Sequence, residues 1–223
     1  MAKASLVVLI SGSGSNLQAI IDAIKAGQLD VEIAAVISNK ASAIGLDRAA
    51  AENITTHVVD HKDYPNREMF DKALMDIIDP LDPDLVVLAG FMRILTEGFI
   101  RQYHQRMINI HPSLLPRYKG LHTHRQAIDN ADKIHGASVH YVSHELDSGP
   151  VILQAEVPVK ADDTEQILAA RVLSEEHKIY PKAIELHISG RVTFDNDTLQ
   201  FDGKPLSTPL LLKDGKLLNE QPA

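Results

Sequence analysis

The chain has 223 residues, a length that corresponds to one domain of about 100–200 residues or to one domain with an appendage. It contains no cysteine, which excludes disulfides, thiol nucleophiles, zinc–thiolate sites and iron–sulfur clusters. The formal net charge of −8 and the scattered basic residues argue against nucleic acid as a partner, and no apolar run approaches the ~20 residues of a membrane-spanning helix. We therefore expect a cytoplasmic protein that binds neither nucleic acid nor membrane.

The first half of the chain alternates short β-branched runs with helix-length segments. The runs SLVVLIS and LVVLAG are nearly continuous in apolar residues, as expected for strands that are buried on both faces. This order predicts an α/β fold, an open, mostly parallel, twisted, Rossmann-like sheet with helices on both faces. The predicted strands span 5–11, 31–38, 56–60, 85–90 and 107–110, and the predicted helices lie near 16–26, 43–52, 67–78 and 96–103.

The alternation stops after the fifth strand, where HPSLLPRYKGLHTH predicts a long loop. Two further strands, 137–142 and 151–159, are joined by the turn sequence SHELDSGP and add antiparallel elements in the C-terminal half. A helix is expected from Thr164, with Asp162 or Asp163 as its N-cap.

The sequence beyond the start of this helix carries three more expectations. Pro181 should kink or split the helix, because proline lacks the backbone N–H of a helix interior. Residues 191–203, RVTFDNDTLQFDG, predict a hairpin that turns across Asp-Asn-Asp, and the remaining residues predict a peripheral strand and a tail.

A glycine-rich loop, Ser11-Gly12-Ser13-Gly14-Ser15-Asn16, joins the first strand to the first helix. Glycines let backbone amides approach an anion, and the helix N-terminus adds unpaired N–H groups and a positive dipole end. The loop lacks the third glycine of the dinucleotide fingerprint, and Ser38-Asn39-Lys40 stands where that fingerprint expects an acidic residue. The pattern favours a single phosphate monoester over NAD or ATP; a tight turn without a ligand remains the alternative.

Asn109, His111 and Pro112 lie at the carboxyl end of the fifth predicted strand, the edge where open α/β sheets bind ligands. Residues two apart in a strand share a face, so the amide and the imidazole project together. An amide can donate to a developing oxyanion while an imidazole moves a proton, a pair suited to acyl transfer. The turn SHELDSGP contains two carboxylates, Glu145 and Asp147. Asp147 lies within the turn itself and is therefore the better candidate to orient the imidazole. The alternatives are an ordinary hydrogen-bonded histidine and a turn-forming aspartate.

The remaining histidines predict no metal site. The pairs His122-x-His124 and His140-x-x-x-His144 have spacings found in zinc sites, but the first lies in a predicted loop without an obvious carboxylate ligand. We expect imidazoles that lie at the surface or contact phosphate.

Four motifs, SGSGSNLQAI, LAGFMRIL, NIHPSLLPRYKGLHTH and SVHYVSHELDSGPVI, occur in this order between about residues 5 and 190. Together they resemble the phosphoribosylglycinamide formyltransferase family, folate-dependent enzymes of purine biosynthesis. The resemblance implies formyl transfer from the co-substrate 10-formyltetrahydrofolate to the amine of glycinamide ribonucleotide, with small-molecule partners, no metal, and a monomer or homodimer. A deformylase-like formyl enzyme and a non-catalytic nucleotide-binding module are the rivals.

The same resemblance implies a domain division and a set of site residues. The formyltransferase domain would span 1–190, with a nucleotide-binding half of about 1–110 and a folate and catalytic half of about 111–190, and 191–223 would form the hairpin and tail. The implied catalytic residues are Asn109, His111 and Asp147. The implied ribonucleotide contacts are Gly14, Ser15, Asn16 and Glu176, and Leu173 stands where members of the family carry glutamine. The implied folate contacts are Arg67, Met92, Arg93, Ile94, Leu95, Asn109, Ser143, His144, Glu145, Leu146 and Asp147.

Overall fold

The computed structural model describes residues 3–195 and 198–219. The chain divides after Asn109 into two compact units. Within the described residues, no helix is both long enough and apolar enough to cross a membrane.

The first unit follows the alternating order that the sequence predicts, and every predicted strand and helix in it is confirmed to within a few residues. The elements are β1 (Ala4–Ile10), α1 (Ser15–Lys25), β2 (Val31–Ser38), α2 (Ile44–Ala51), β3 (Thr56–Val58), α3 (Arg67–Ile78), β4 (Leu85–Leu88), α4 (Glu97–Gln102) and β5 (Met107–His111). The last strand, β5, begins in this unit and ends just beyond the division.

The strands of the first unit are parallel and lie in the order β5-β4-β1-β2-β3. In register, Val8 of β1 lies between Val36 of β2 and Val87 of β4, and all three side chains are fully buried. The chain leaves β1 in one direction to form β2 and β3 and then returns to place β4 on the other side of β1. Ligands of open α/β sheets bind at such a reversal, outside the carboxyl ends of the strands.

The second unit mixes parallel and antiparallel strands, which confirms the predicted antiparallel additions. Its elements are α5 (Thr123–Asp129), β6 (Ile134–Tyr141), β7 (Val151–Pro158), α6 (Glu165–Ile188), β8 (Val192–Asp195), β9 (Thr198–Phe201), β10 (Lys204–Pro205), β11 (Leu210–Lys213) and β12 (Lys216–Leu218). Strands β6 and β7 pair antiparallel, β11 lies parallel beside β7, and β12 pairs antiparallel with β11, while β8, β9 and β10 form a separate antiparallel sheet.

The start of α6 corrects the predicted N-cap. Thr164 caps the helix, because its side-chain oxygen accepts from the backbone N–H of Ile167. Asp163 instead accepts two 2.7 Å hydrogen bonds from the guanidinium of Arg171, and this ion pair lowers the pKa of Asp163 to about 2. The predicted cap residue therefore ties the preceding loop to the helix.

The predicted split of the helix at Pro181 is wrong, because α6 runs through this residue as one helix. An interior proline costs about 3 kcal/mol, but the neighbouring Ile179, Tyr180 and Ile184 have no exposed surface. Burial of side chains of this size contributes about 1.5–3 kcal/mol each and offsets the missing hydrogen bond.

Two other expectations differ in detail from the structure. The predicted long loop ends in a short helix, α5, that sequence patterning missed. The predicted hairpin is confirmed in strands β8 and β9, but Asn196 and Asp197 of its turn lie outside the described residues. The predicted peripheral strand β11 extends the sheet of β6 and β7, where its Leu210 is fully buried.

Candidate active site

The glycine-rich loop connects β1 to α1 at the topological reversal of the first unit. Gly14 precedes α1 in the left-handed conformation, with φ of 67°. The loop faces a cavity of about 220 Å³ that is lined by residues 11–16, Ala89, Gly90 and Met92. The cavity volume suits a small anion or the end of a larger ligand.

Glycine at position 14 is required by contact as well as by conformation. A Cβ on Gly14 would lie 2.5 Å from the Cα of Gly45, at the start of α2. The N–H of Gly45 donates to the carbonyl oxygen of Gly12, and Arg48 Nε donates to the carbonyl oxygen of Ser13 at 2.8 Å. Two carbonyl groups of the loop are therefore held by α2.

The loop keeps hydrogen-bond donors available for a ligand. The backbone N–H groups of Ser13, Gly14 and Ser15 donate to no acceptor within residues 3–195 and 198–219. They stand at the N-terminus of α1, an eleven-residue helix, where the helix dipole favours negative charge. This arrangement can bind a phosphate through neutral donors, which is how an acidic protein can hold an anion.

The segment LAGFMRIL crosses the same edge of the first unit between β4 and α4. Met92 and Ile94 are both 61% exposed, whereas Phe91 and Leu95 are buried. Arg67, the first residue of α3, is exposed. The exposed apolar side chains offer a surface on which a flat ring could lie.

In the second unit, His111 and Asp147 form a buried pair. His111 Nδ1 lies 3.4 Å from Asp147 Oδ2, and the side chains are 6% and 8% exposed. Asp147 Oδ1 lies 3.8 Å from Nε2 of a second buried imidazole, His140. Asn109 stands two residues before His111 on β5 and is half-buried. The pairing of His111 with Asp147 was anticipated from sequence, whereas that of Asp147 with His140 was not.

The hydrogen bonds of the two imidazoles determine where protons can sit. Carbonyl oxygens only accept, so His111 Nε2 donates to Tyr118 at 2.8 Å and His140 Nδ1 donates to Tyr141 at 2.9 Å. Burial lowers the pKa of His140 well below its usual range, so this ring is neutral and its Nε2 carries no proton at pH 7. Since His111 Nε2 faces a carbonyl oxygen, Nδ1 is the ring nitrogen of His111 that faces Asp147 Oδ2.

The turn between β6 and β7 fixes Asp147. The N–H of Tyr141 donates to the carbonyl oxygen of Pro150 and closes the turn. Gly149 is needed there, because a Cβ would lie 1.9 Å from the carbonyl oxygen of Tyr141. Asp147 itself has a left-handed φ of 48°, and its Oδ2 accepts from the N–H of Gly120 at 2.9 Å. The D-x-G-P motif thus aims the carboxylate inward.

The loop that follows His111 is held by two polar side chains that no sequence motif marks. Ser138 on β6 donates to the carbonyl oxygen of Ser113 and accepts from the N–H of Leu115. Gln154 on β7 donates to the carbonyl oxygen of Leu115 and to the Ser138 hydroxyl, both at 2.9 Å. Alternation within β6 and β7 shows which residues share a face, but it does not show that these two bind the loop.

The other sequence-derived candidates of the second unit lie on its turn and on α6. In the turn, Ser143 is half-buried and His144, Glu145 and Leu146 are exposed. Glu176 is 7% exposed on α6, and Leu173 lies one helical turn before it. A carboxylate on this face can bind an amine.

His124 and His135 form a second histidine pair, with Nδ1 and Nε2 3.2 Å apart. Burial, followed by the neighbouring His124, lowers the pKa of His135 to about 4, and burial also lowers the pKa of His124. In the part of the chain that the structure describes, no three His, Asp or Glu residues converge in a geometry that could hold a metal ion.

Comparison with known proteins gives a consistent result. The formyl transferase family model matches residues 4–184. Phosphoribosylglycinamide formyltransferase of Escherichia coli (strain K12) is 53% identical over 202 residues, which cover 91% of this chain and 95% of that protein. The trifunctional purine biosynthetic protein adenosine-3 of Bos taurus is 48% identical over 190 residues, 85% of this chain but 19% of that longer protein. The solved phosphoribosylglycinamide formyltransferase of Coxiella burnetii, in complex with CHES, has a TM-score of 0.89 and 50% identity, covering 92% of this chain and 96% of that one.

Proposed function

This chain belongs to the formyl transferase family, and on that premise we propose that it is a phosphoribosylglycinamide formyltransferase of purine biosynthesis. It transfers the formyl group of 10-formyltetrahydrofolate to the amine of glycinamide ribonucleotide. The observation that carries the proposal is the buried His111–Asp147 pair, with Asn109 two residues before His111 on the same strand.

Each substrate is assigned to groups that suit its chemistry. The backbone amides of Gly14 and Ser15, with Asn16, take the ribonucleotide phosphate, and the buried Glu176 takes its glycinamide end. The folate ring lies against Met92–Leu95, a segment that makes no backbone–backbone hydrogen bond within the described residues. Further folate contacts come from the turn residues Ser143, His144, Glu145, Leu146 and Asp147, from Asn109, and from Arg67 and Arg93 as partners of the folate carboxylates.

The reaction proceeds by direct attack and requires no covalent enzyme intermediate. The amine nitrogen bonds to the formyl carbon, and the carbonyl oxygen becomes an oxyanion that accepts from Asn109 and protonated His111. The bond between the formyl carbon and folate N10 then breaks, and a proton lost from the amine passes to N10. Asp147 stabilises the imidazolium and takes part in the proton transfer, directly or through water.

One contact supports this role of the imidazole. His111 Nε2 donates to the carbonyl oxygen of Tyr118 at 2.8 Å, which fixes the ring plane and keeps a proton on this nitrogen. The formyl oxygen would replace the Tyr118 carbonyl as the acceptor when the oxyanion forms. The donor is therefore in position before the negative charge develops.

The decisive experiment measures folate product by absorbance with 10-formyltetrahydrofolate present and glycinamide ribonucleotide added or withheld. Product that depends on the ribonucleotide supports the transferase; equal product without it would indicate a deformylase-like enzyme, and none in either case a non-catalytic binding module. In the same assay, Asn109→Ala removes one oxyanion donor and should lower turnover by about 10²–10³-fold. A monomeric or homodimeric state and a cytoplasmic location complete the proposal.

A further inference from the structure

The folate-facing segment Met92–Leu95 has no regular backbone pairing of its own. It lies between β4 and α4 in irregular conformation. Within residues 3–195 and 198–219, no backbone–backbone hydrogen bond involves residues 91–95. A segment without such pairing keeps peptide groups available for a ligand, but something else must then fix its position.

One end of the segment is tied to β1. The N–H of Met92 donates to the hydroxyl of Ser11 at 2.7 Å, and that hydroxyl donates in turn to Asn39 Oδ1 at 2.5 Å. Ser11 and Asn39 are 5% and 1% exposed and stand just after the carboxyl ends of β1 and β2. A hydroxyl with both a donor and an acceptor partner has a fixed direction, so this end is held rigidly.

The other end is tied to α3. The N–H of Thr96 donates to Asp71 Oδ2 at 2.6 Å, a length typical of a strong charge-assisted bond. On the same helix, Phe70 stacks against Phe91, with ring centroids 6.5 Å apart and planes 11° from parallel. The two neighbouring α3 residues therefore hold positions on either side of the segment.

Asp71 is a buried carboxyl group, which is uncommon for a residue that only stabilises the fold. It is 1% exposed, and its Oδ1 has no hydrogen-bond partner in the part of the chain described. Burial raises the pKa of this carboxyl, partly offset by the hydrogen bonds from Thr96 and the charge of Arg67. Burying a carboxyl group whose second oxygen has no hydrogen-bond partner lowers the free energy of unfolding. This cost indicates that Asp71 serves function and not stability.

We infer that Asp71 and Ser11 are positioning residues for the folate subsite, because they fix the two ends of Met92–Leu95 against which the ring lies. The inference rests on the proposed function and deepens it. Neither residue is assigned a contact with the reacting atoms. Loss of an anchor should leave the segment present but displaced or mobile, which weakens folate binding more than turnover.

The test compares Asp71→Ala with Asp71→Asn. Alanine removes the acceptor for the Thr96 N–H, and we expect KM for 10-formyltetrahydrofolate to rise about tenfold, with kcat and the ribonucleotide KM changed less than about twofold. Asparagine keeps an oxygen acceptor in the same place and should restore KM to within about twofold of wild type. Isothermal titration with folic acid, which carries no formyl group, should show the same tenfold loss in Asp71→Ala.

Controls separate positioning from general destabilisation. Asp76→Ala removes an exposed carboxyl from the same helix and should change neither KM nor the folic acid affinity. Ser11→Ala removes the anchor at the other end and should also raise the folate KM. The inference is overturned if Asp71→Ala lowers Tm but leaves folate KM and folic acid affinity unchanged, or if kcat alone falls.

The proposed function is judged separately, on the wild-type protein. If the wild type forms folate product only with the ribonucleotide and Asp71→Ala behaves like Asp76→Ala, the proposed function stands and the positioning role falls. If the wild type forms no product and binds no folic acid, both are overturned.

Discussion

In the second unit, the carboxylate of Asp147 faces two buried imidazoles, those of His111 and His140. The hydrogen bonds and burial of the two rings determine which of them the carboxylate can stabilise. His140 Nδ1 donates a hydrogen bond to the Tyr141 carbonyl oxygen and burial keeps the ring neutral, so His140 presents its unprotonated Nε2 to Asp147. A bare nitrogen repels a carboxylate oxygen, and Asp147 lies nearer to His111 Nδ1, at 3.4 Å, than to His140 Nε2, at 3.8 Å. The arrangement therefore directs the charge of Asp147 toward His111, the imidazole on the strand with Asn109.

Asp147→Asn tests this arrangement with little change in shape. Asparagine tolerates the left-handed backbone at this position, where φ is 48°. An amide cannot balance the charge of an imidazolium, so we expect kcat to fall by about 10²–10⁴-fold, the usual contribution of a positioned acid–base group. Steady-state kinetics should show this loss while the thermal transition stays close to that of the wild type.

Asp162→Asn is a matched control, because Asp162 is an exposed aspartate of the same unit. It should retain wild-type kinetics. An Asp147→Asn enzyme within tenfold of wild-type kcat would show that the carboxylate has no essential part in the reaction.

At the scale of elements, the glycine-rich loop depends on contact between β1–α1 and α2. Gly14→Ala places a methyl group 2.5 Å from the Cα of Gly45 and forces alanine to a φ of 67°. The left-handed conformation costs about 1–2 kcal/mol and the clash about 1–3 kcal/mol more, so we expect a loss of about 2–5 kcal/mol in the free energy of unfolding. Denaturant unfolding measures this loss, and the KM for the ribonucleotide should rise with it.

Gly12→Ala is the control for stability, because a Cβ there meets no atom within 4 Å. Its denaturation midpoint should stay close to that of the wild type. If Gly14→Ala were equally stable, the contact between Gly14 and Gly45 would not constrain the loop.

The pair formed by His124 on α5 and His135 on β6 predicts that acid destabilises the second unit. The pKa of His135 is about 4 when folded, against about 6.5 for an unperturbed histidine, because burial disfavours the charged ring. Between these two values the unfolded chain binds more protons than the folded protein does. The free energy of unfolding therefore rises with pH from about pH 4 to about pH 6.5, and above that range this histidine causes no further rise. A difference of about 2.5 between the two pKa values corresponds to about 3–4 kcal/mol in the free energy of unfolding.

Denaturant unfolding at pH 4.5 and pH 7 measures the effect. His135→Gln should reduce the difference between the two pH values, whereas substitution of the exposed His104 by glutamine should not. An unchanged pH dependence in His135→Gln would place the acid sensitivity in other groups.

Elements could be predicted from the sequence where a local pattern of residues marks them, and not where tertiary contacts form them. Strands such as β1 and β4 are buried on both faces and therefore show as unbroken apolar runs. The missed helix α5 has only two buried residues and no first-turn acid, so no local pattern marked it. The predicted split at Pro181 failed for a different reason, because tertiary burial of the surrounding helix overrode a local rule.

The residues of the candidate site could be predicted where they lie close together in the sequence or in a motif that can be recognised. Asn109 and His111 share a strand, and Asp147 lies in a recognisable turn. The contacts of Asp71 and His140 were missed because each forms only on folding: 25 residues separate Asp71 from Thr96, and His140 meets Asp147 across its turn. No spacing rule connects such pairs.

At the scale of the whole molecule, the chain continues beyond the residues that the family model matches. That match ends at residue 184, yet β11 lies beside β7, with Leu210 opposite Leu153. β11 covers an edge of β7 that would otherwise present unpaired backbone groups, and Leu210 has no exposed surface. The late strand therefore belongs to the core of the second unit.

Leu210→Ala should accordingly destabilise the protein without touching its chemistry. Removing a fully buried leucine side chain costs about 2–5 kcal/mol, as lost burial plus the cavity left behind. We expect the free energy of unfolding to fall by this amount and the denaturant midpoint to fall with it. Both KM values and kcat should stay unchanged at temperatures where the protein is folded. Leu218→Ala, at a half-buried position on β12, should lose less than half as much. Equal losses in the two variants would mean that β11 contributes no more to the core than the strand outside it.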